Sequence, residues 1–137
     1  MSEAELQKKI SRLKAYMDDF SVYIIFQIQN ILEDKEKIYT MERLFQLIVD
    51  EAIDINTIVA YSRGVSITDS YKSTFFTLAD LGVISQELAE QISPSAGLRN
   101  KIVHDYEKLQ KHILIEAMKT FFVYYKTYLQ SVTKIIK

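Results

Sequence analysis

The stretch Tyr39–Ile55, with the sequence YTMERLFQLIVDEAIDI, decides the fold because its apolar residues recur every three or four positions. This spacing is typical of one face of a helix. The stripe consists of Met41, Phe45, Ile48, Ala52, Ile55 and Val59. Other apolar residues beside the stripe, such as Leu44 and Leu47, widen the apolar surface. The pattern predicts a central helix over roughly residues 39 to 63, and Gly64 lies where a C-terminal cap would end it.

Two further long helices are predicted, one on each side of the central helix along the chain. The first covers roughly residues 4 to 34, and its stripe is Leu6, Ile10, Leu13, Met17, Phe20, Ile24, Ile28 and Ile31. The polar stretch Glu33–Lys37 separates it from the central helix. The last helix covers roughly residues 107 to 135, and its stripe is Leu109, Ile113, Ala117, Phe121, Tyr124, Tyr128, Val132 and Ile135.

Short helices are predicted between the central and the last helix. Asp69 and Ser70 can cap one that runs to about Leu81, where Gly82 stops it. Ser85 can cap a second one, which runs through Ile92. The turn residues at both ends therefore mark these elements as brief connections.

A third short helix begins at Ser93-Pro94, which has the pattern of an N-cap followed by a proline at the first helical position. This helix carries the segment Arg99–His104. Gly97 within it costs helix stability, which suggests that another backbone comes close at this point.

The composition favours an all-α fold in one domain. A chain of 137 residues suits a single domain over residues 1–137, and 3 glycines with 1 proline are few for a fold of many strands and turns. We predict a helical bundle of long antiparallel helices joined by short connecting helices. The 9 tyrosines and 7 phenylalanines are expected in its core or at a subunit interface.

Composition also excludes several classes of function. Cysteine is absent, so disulfides and thiolate metal sites are excluded. The formal net charge of −1 is unlike that of a protein that coats nucleic acid non-specifically, so any RNA must be held by a local basic patch. By proximity in sequence its candidates are Arg99, Lys101, Lys108, Lys111 and His112, and a solvated helix face is the alternative. The N-terminal residues do not resemble a secretory signal, and the apolar run Val22–Phe26 is far shorter than the roughly 20 residues of a membrane helix. We expect a cytoplasmic protein without a membrane partner.

The segment Arg99–Tyr106, RNKIVHDY, carries the clearest chemical signal. A neutral imidazole can take the proton of a ribose 2′-hydroxyl, because its unperturbed pKa of about 6.5 lies near neutral pH. A guanidinium is always charged and can stabilise the negative charge that develops on a phosphate. His104 and Arg99 are therefore candidate catalytic residues for metal-free cleavage of a phosphodiester. No phosphate-binding loop, zinc-ligand spacing or nucleophile elbow offers another enzymatic site.

This segment resembles the Arg-Asn-x-x-x-His motif of the HEPN ribonucleases, and in particular the Arg-x4-His-x-Tyr form found in the HepT toxin family. The similarity extends to Tyr39–Leu47 and Asp50–Ile55, which look like the second helix of that family. Leu78–Ile84 looks like its short linker helix and turn. The resemblance covers nearly the whole chain, from about Leu6 to Ile136.

The resemblance implies a HEPN-like helical bundle and an endoribonuclease toxin of a toxin–antitoxin pair, which acts on RNA without a metal or other cofactor. It implies that a minimal nucleotidyltransferase antitoxin silences the toxin by attaching AMP to the tyrosine of the motif, here Tyr106. His104 would then be the general base or acid, and Arg99 would bind the phosphate. Asn100 would orient the phosphate or help to organise a subunit interface. The alternative for Tyr106 is packing at the base of the last helix.

The spacing of the motif bears on the oligomeric state. Residues five apart on a helix point roughly 140° away from each other, so Arg99 and His104 diverge on one segment. Two copies that meet across a two-fold axis can pair these groups in a composite cleft, and the resemblance implies such a homodimer. A kink or helix end near Val103 is the competing way to bring them together. Asp54 on the central helix is a candidate to anchor Arg99 or to fix the tautomer of His104, and a plain surface or capping carboxylate is the alternative.

A different class of function stays open at this point. A non-catalytic helical module could use the same motif for dimerisation or for binding a nucleotidyltransferase partner. A nucleotide-binding adaptor has no positive sign in the sequence. His112, the second of 2 histidines, lies outside the motif and is predicted to be a surface residue.

Overall fold

The computed structural model describes residues 3–67 and 73–136. Within these two ranges the chain forms seven α-helices and one short 3₁₀ helix, and no strand. The α-helices are α1 (Glu3–Ile24), α2 (Ile28–Leu32), α3 (Lys35–Ser62), α4 (Ser73–Asp80), α5 (Gln86–Ile92), α6 (Pro94–His104) and α7 (Lys111–Thr133). The 3₁₀ helix is Tyr106–Lys108. The prediction of an all-α bundle is confirmed.

The long helix α1 runs antiparallel to α3. Lys9 Nζ lies 3.0 Å from Asp54 Oδ2, and Arg12 Nη1 lies 3.4 Å from Glu51 Oε1. Because residue numbers rise along α1 while those of its partners fall along α3, the two helices point in opposite directions. Their buried side chains belong to one connected apolar cluster that the other helices share.

The first helix is shorter than the apolar pattern predicts, and this part of the prediction is wrong. α1 ends at Ile24, and α2 begins at Ile28 after a bend. Lys119 of α7 donates to the backbone carbonyl of Ile24 over 3.3 Å and also to that of Phe26. These contacts satisfy carbonyl groups that a helix end leaves without an intrahelical partner. The apolar stripe keeps its phase across the bend, so periodicity alone could not locate it.

The central helix α3 begins earlier than predicted, at Lys35. Asp34 caps it, because its carboxylate accepts from the amides of Glu36 and Lys37 at 3.0 and 3.3 Å. The polar stretch that looked like a linker therefore supplies the cap and the first turn. At the other end Gly64 has φ of 81°, which confirms the predicted end of the helix there.

The core between α3, α4 and α7 contains a chain of buried polar groups. The Tyr128 hydroxyl lies 2.6 Å from Asn56 Oδ1 and 3.1 Å from the carbonyl of Ala52. Asn56 Nδ2 donates to Thr74 Oγ1 over 2.9 Å. Burial raises the pKa of the Tyr128 phenol well above its ordinary value, so it stays a neutral donor. These bonds satisfy polar atoms that would otherwise destabilise the core.

The short connecting helices follow the predicted caps in most places. Ser85 caps α5 by accepting from the amide of Leu88 at 3.0 Å, and Gly82 follows α4 with φ of 77°. The predicted caps Asp69 and Ser70 lie outside the described residues. Both the Ser85 cap and the Gly82 stop are confirmed.

The start of α6 differs from the prediction in two details. Pro94 occupies the first helical position as predicted, but Ser93 has helical φ and ψ of −57° and −34° and makes no side-chain cap bond. Because Ser93 is itself helical, α6 follows α5 almost without interruption. The close backbone approach predicted at Gly97 is wrong within this chain, since a Cβ placed there meets no described atom within 4 Å.

The last helix begins later than predicted and turns a different face to the core. α7 starts at Lys111, after the 3₁₀ helix, and its N-terminal half buries Leu114, Met118 and Phe122. Ile113 of the predicted stripe is 52% exposed. In this half, apolar residues lie both on the predicted stripe and one position after it, so the pattern could not show which of the two faces is buried. The predicted stripe is correct at Tyr128 and Val132, which are buried.

Candidate functional site

Arg99 is fixed against the central helix. Its Nε lies 2.9 Å from Asp50 Oδ1 and its Nη2 lies 3.4 Å from Asp50 Oδ2, which makes a two-pronged ion pair between α6 and α3. The Arg99 side chain is 23% exposed and that of Asp50 is 41% exposed. A planar guanidinium suits this paired geometry better than a lysine would. The pair therefore sets the direction in which Arg99 points.

The carboxylate that anchors Arg99 was not identified from the sequence. Asp54, the predicted candidate, does not anchor Arg99: it faces α1 and lies 3.0 Å from Lys9 Nζ, which fits the alternative of a surface carboxylate. Asp50 lies one helical turn earlier on the same helix and reaches Arg99 instead. Both carboxylates stood in the same acidic part of the central helix, and the packing of α6 decides between them.

His104 is the last residue of α6 and is exposed. The helix is continuous from Pro94 through His104, so the divergence of roughly 140° between Arg99 and His104 applies to it. The helix end, which lies at Asp105, comes after both residues and does not bring them together. Within this chain the guanidinium faces α3 while the imidazole faces outward.

Asn100 lies beside Arg99 on the surface of α6. Its Oδ1 accepts from Arg99 Nη1 at 3.3 Å, and the residue is exposed. Asn100 and His104 are four residues apart, so they share one face of the helix. The amide therefore lies on the same face as the imidazole and touches the guanidinium.

Tyr106 begins the 3₁₀ helix that follows α6 and is half-buried. Lys111 Nζ lies 3.1 Å from the centre of its ring, and the same Nζ lies 3.2 Å from Glu42 Oε2 on α3. Burial raises the pKa of the Tyr106 phenol, and Glu42 raises it further while Lys111 opposes the rise. Lys111 was predicted from the sequence only as a candidate for a basic patch, and Glu42 was not identified as part of the site.

An open groove lies beside the motif. Leu98 of α6 and Leu109 and Ile113 near the start of α7 line it, together with Lys101 and Lys108. The two lysines are exposed and give this side of the site a positive rim. His112 is exposed, as predicted, and is outside this lining.

The described residues contain neither a metal site nor a membrane-spanning helix. In residues 3–67 and 73–136, no group of three histidine, aspartate or glutamate side chains has a metal-binding arrangement. In the same ranges, no helix has the length and apolar character needed to cross a membrane. What the site contains is an anchored guanidinium, an exposed imidazole, an amide between them and a phenol two residues further on.

Comparison with known proteins gives a consistent result. A family model described as ribonuclease HepT-like matches residues 6–132. A tRNA nuclease HepT from Aphanizomenon flos-aquae is 29% identical over 129 residues, which are 93% of this chain and 86% of that protein. An mRNA nuclease HepT from Shewanella oneidensis is 28% identical over 116 residues, which are 85% of this chain and 81% of that protein.

Solved structures share the fold. A structure described as a tri-AMPylated Shewanella oneidensis HEPN toxin in complex with MNT antitoxin superposes with a TM-score of 0.83 and 20% sequence identity. The match covers 94% of this chain and 96% of that one. A Bacillus subtilis cytosolic protein of unknown function, YutE, superposes with a TM-score of 0.71 and 14% identity, over 100% of this chain and 95% of that one.

Proposed function

The chain belongs to the HepT-like ribonuclease family, and on that premise we propose that it is a metal-independent endoribonuclease and the toxin of a toxin–antitoxin pair. The observation that carries this proposal is the ion pair that holds Arg99 on Asp50 while His104 lies exposed on the same short helix. The combination of a fixed cation and an accessible base is what cleavage of RNA by its own 2′-hydroxyl requires.

The chemical step divides between the two residues. His104 takes the proton of the ribose 2′-hydroxyl, whose oxygen attacks the adjacent phosphorus. The bond from phosphorus to the 5′-oxygen of the next nucleotide breaks, and this oxygen leaves as a hydroxyl after it takes a proton from the protonated His104 or from water. Arg99 stabilises the charge on the phosphate. A guanidinium has five N–H donors, and the described residues use three of those of Arg99, two with Asp50 and one with Asn100. Two donors remain for a phosphate oxygen, so the anchor positions Arg99 without consuming it.

RNA incubated with the purified, unmodified protein tests this function. We expect cleavage to continue in EDTA, and we expect fragments that end in a 2′,3′-cyclic phosphate and begin with a 5′-hydroxyl, because the 2′-oxygen is the nucleophile. Cleavage that stops on chelation and returns with Mg²⁺ would contradict the metal-independent mechanism. A protein that never cleaves RNA would be better described as a non-catalytic module that binds a nucleotidyltransferase.

We propose that two copies form the complete site. Arg99 and His104 diverge on α6, and an isologous contact through this helix would place the Arg99 of one copy near the His104 of the other. Apolar groups are exposed on this surface, with Val103 at 42% and Ile113 at 52%. Gly97 adds a point at which no side chain obstructs an approaching surface.

The dimer is expected in solution at micromolar concentration, with the segment from Gly97 to Tyr106 in or beside the interface. Val103→Asp should shift the protein to monomer and lower cleavage with it, because a charge would be buried without a partner. Val123→Asp on α7 is the matched control, since Val123 is 59% exposed and lies ten residues, about 15 Å of helix, beyond Ile113. Sedimentation of the unaltered protein as a monomer would rule out the composite site.

Tyr106 is proposed as the point of control. A minimal nucleotidyltransferase antitoxin would attach AMP to its phenol, two residues from His104, and so place an anionic phosphate and a nucleoside over the site. The attached AMP would then fill the site, and its negative charge would repel RNA. The description of a structurally similar toxin as tri-AMPylated and bound to an MNT antitoxin supports this proposal.

A further inference from the structure

A lysine lies over the ring of Tyr106 and is paired with a buried carboxylate. Lys111 Nζ lies over the ring face, 3.1 Å from its centre, and contacts Glu42 Oε2 at 3.2 Å. Glu42 is 4% exposed, although carboxylates are rarely buried to this degree. The three residues come from three elements, because Glu42 lies on α3, Tyr106 on the 3₁₀ helix and Lys111 on α7.

Stability alone does not account for this arrangement. Lys111 is the first residue of α7, where the helix dipole disfavours a positive charge. A buried ion pair is often no more stabilising than a pair of apolar residues of similar volume. Two unfavourable placements, a cation at a helix start and a carboxylate in the interior, therefore meet at one tyrosine. Departures of this kind from the locally favoured residue are concentrated at functional sites.

We propose that Lys111, held in place by Glu42, is a positioning residue for nucleotidylation of Tyr106, and that it supplies the positive charge that meets the incoming phosphate group. This inference rests on the proposed silencing of the enzyme at Tyr106. The contact with Glu42 keeps the Lys111 ammonium group over the ring that is to be modified, and these described contacts involve neither Arg99 nor His104.

The reaction requires a nucleoside triphosphate, here ATP, held by the nucleotidyltransferase. Tyr106 Oη attacks the α-phosphorus, and a new oxygen–phosphorus bond forms. The bond between the α-phosphorus and the oxygen that bridges to the β-phosphate breaks, and pyrophosphate leaves with its electron pair. The phenol proton passes to a base of the nucleotidyltransferase or to water. The product is a phosphodiester with one negative charge beside the Lys111 ammonium.

The electrostatics around the phenol give the direction of the expected effect. Burial and Glu42 raise the pKa of Tyr106, and Lys111 opposes them. If Lys111 loses its charge, the pKa rises further and less phenolate is present at a given pH. Attack on phosphorus should therefore slow, and its dependence on pH should move to more alkaline values.

The test compares Lys111→Met with the unaltered protein in a reaction with the cognate minimal nucleotidyltransferase, ATP and Mg²⁺, followed by intact mass. We expect nucleotidylation to slow by about tenfold or more, with an alkaline shift of the pH profile, while RNA cleavage by unmodified protein is unchanged. Lys111→Arg should restore most of the rate. Lys126→Met is the matched control, because Lys126 lies over the ring of Phe122, 5.9 Å from its centre, and is exposed.

A second variant keeps the test informative if Lys111→Met does not fold. That variant leaves Glu42 buried without its cation, which can destabilise the fold strongly. The double variant Glu42→Gln with Lys111→Met removes both charges, and circular dichroism checks that its helices are intact. It should still be nucleotidylated more slowly than the unaltered protein, because no cation meets the phosphate.

The reactivity of the Tyr106 phenol can also be measured without the nucleotidyltransferase. N-acetylimidazole acetylates tyrosine phenols, and peptide mapping gives the rate at Tyr106, which should fall in Lys111→Met. If the Lys111 variants react with the nucleotidyltransferase and with N-acetylimidazole at the rate and pH profile of the unaltered protein, Lys111 has no such role, and the proposed silencing at Tyr106 is unaffected. An unaltered protein that accepts no AMP at Tyr106 would overturn the proposed silencing and this inference together, and it would leave the RNA-cleavage proposal standing.

Discussion

Alanine at His104 or at Arg99 is expected to lower the rate of RNA cleavage by about a hundredfold or more, since a general base and a phosphate-stabilising cation each contribute on that scale. Growth toxicity should disappear with the activity. Both residues lie on the surface or at its edge, so helicity by circular dichroism should stay close to that of the unaltered protein. Initial rates on a defined RNA, measured in EDTA, give the comparison.

The second histidine provides the matched control for this experiment. His112 is exposed on the first turn of α7 and outside the motif, so His112→Ala should cleave RNA at the unaltered rate. If His104→Ala and Arg99→Ala both fold and cleave RNA as fast as the parent, the assignment of the site is wrong. If His104→Ala and His112→Ala lose the same cleavage activity, the loss is not specific to the histidine of the motif.

Substitutions at two carboxylates on α3 test whether the ion pair with Arg99, and not just a nearby negative charge, is needed for cleavage. Asp50→Asn should lower cleavage by about 10- to 100-fold, because Arg99 loses the ion pair that fixes its direction. Asp54→Asn, one turn away and paired with Lys9, should leave cleavage unchanged. An effect at Asp54 without one at Asp50 would contradict the geometry described for Arg99.

The choice between these two carboxylates illustrates what a sequence leaves undecided. Positions 50 and 54 differ by only about 40° around the helix, so both face the same side of α3. Which of them reaches Arg99 depends on how α6 crosses α3, and that depends on packing across the whole bundle. The resemblance identified the acidic segment but could not select the residue.

The helices were predictable because their apolar stripes are long and regular. The prediction failed where the apolar pattern fits more than one arrangement of the helices equally well. Ile24 and Ile28 keep the helical phase across the bend between α1 and α2, and the signal for the bend lies in Lys119, far away in the chain. In α7 the adjacent Ile113 and Leu114 are both apolar, so only the packed structure decides which is buried.

The surroundings of Tyr106 were beyond prediction for a related reason. Glu42 and Lys111 are 69 positions apart, and each looks like an ordinary charged residue on an amphipathic helix. Glu42 meets Lys111 only because the folded bundle brings this part of α3 to the start of α7. The motif could be recognised from short-range spacing, whereas the contacts that tune it are long-range.

Tyr106→Phe is expected to free the enzyme from its partner. The substitution removes the acceptor oxygen but keeps the aromatic ring, whose face can still pack under Lys111. Protein expressed together with the cognate nucleotidyltransferase should gain one or more AMP units in intact mass, mapped by peptide sequencing to Tyr106. The Tyr106→Phe protein should gain none, cleave RNA at the rate of unmodified protein and remain toxic in the presence of the partner.

Exposed tyrosines elsewhere give the control for this result. Tyr39 and Tyr61 are 56% and 59% exposed, so they are more accessible than the half-buried Tyr106. Tyr39→Phe and Tyr61→Phe should nevertheless be modified and silenced like the parent, because selection depends on the site around Tyr106 and not on exposure. If Tyr106→Phe is still fully silenced by the partner, inhibition works by covering the site, and Tyr106 is a packing residue at the base of α7.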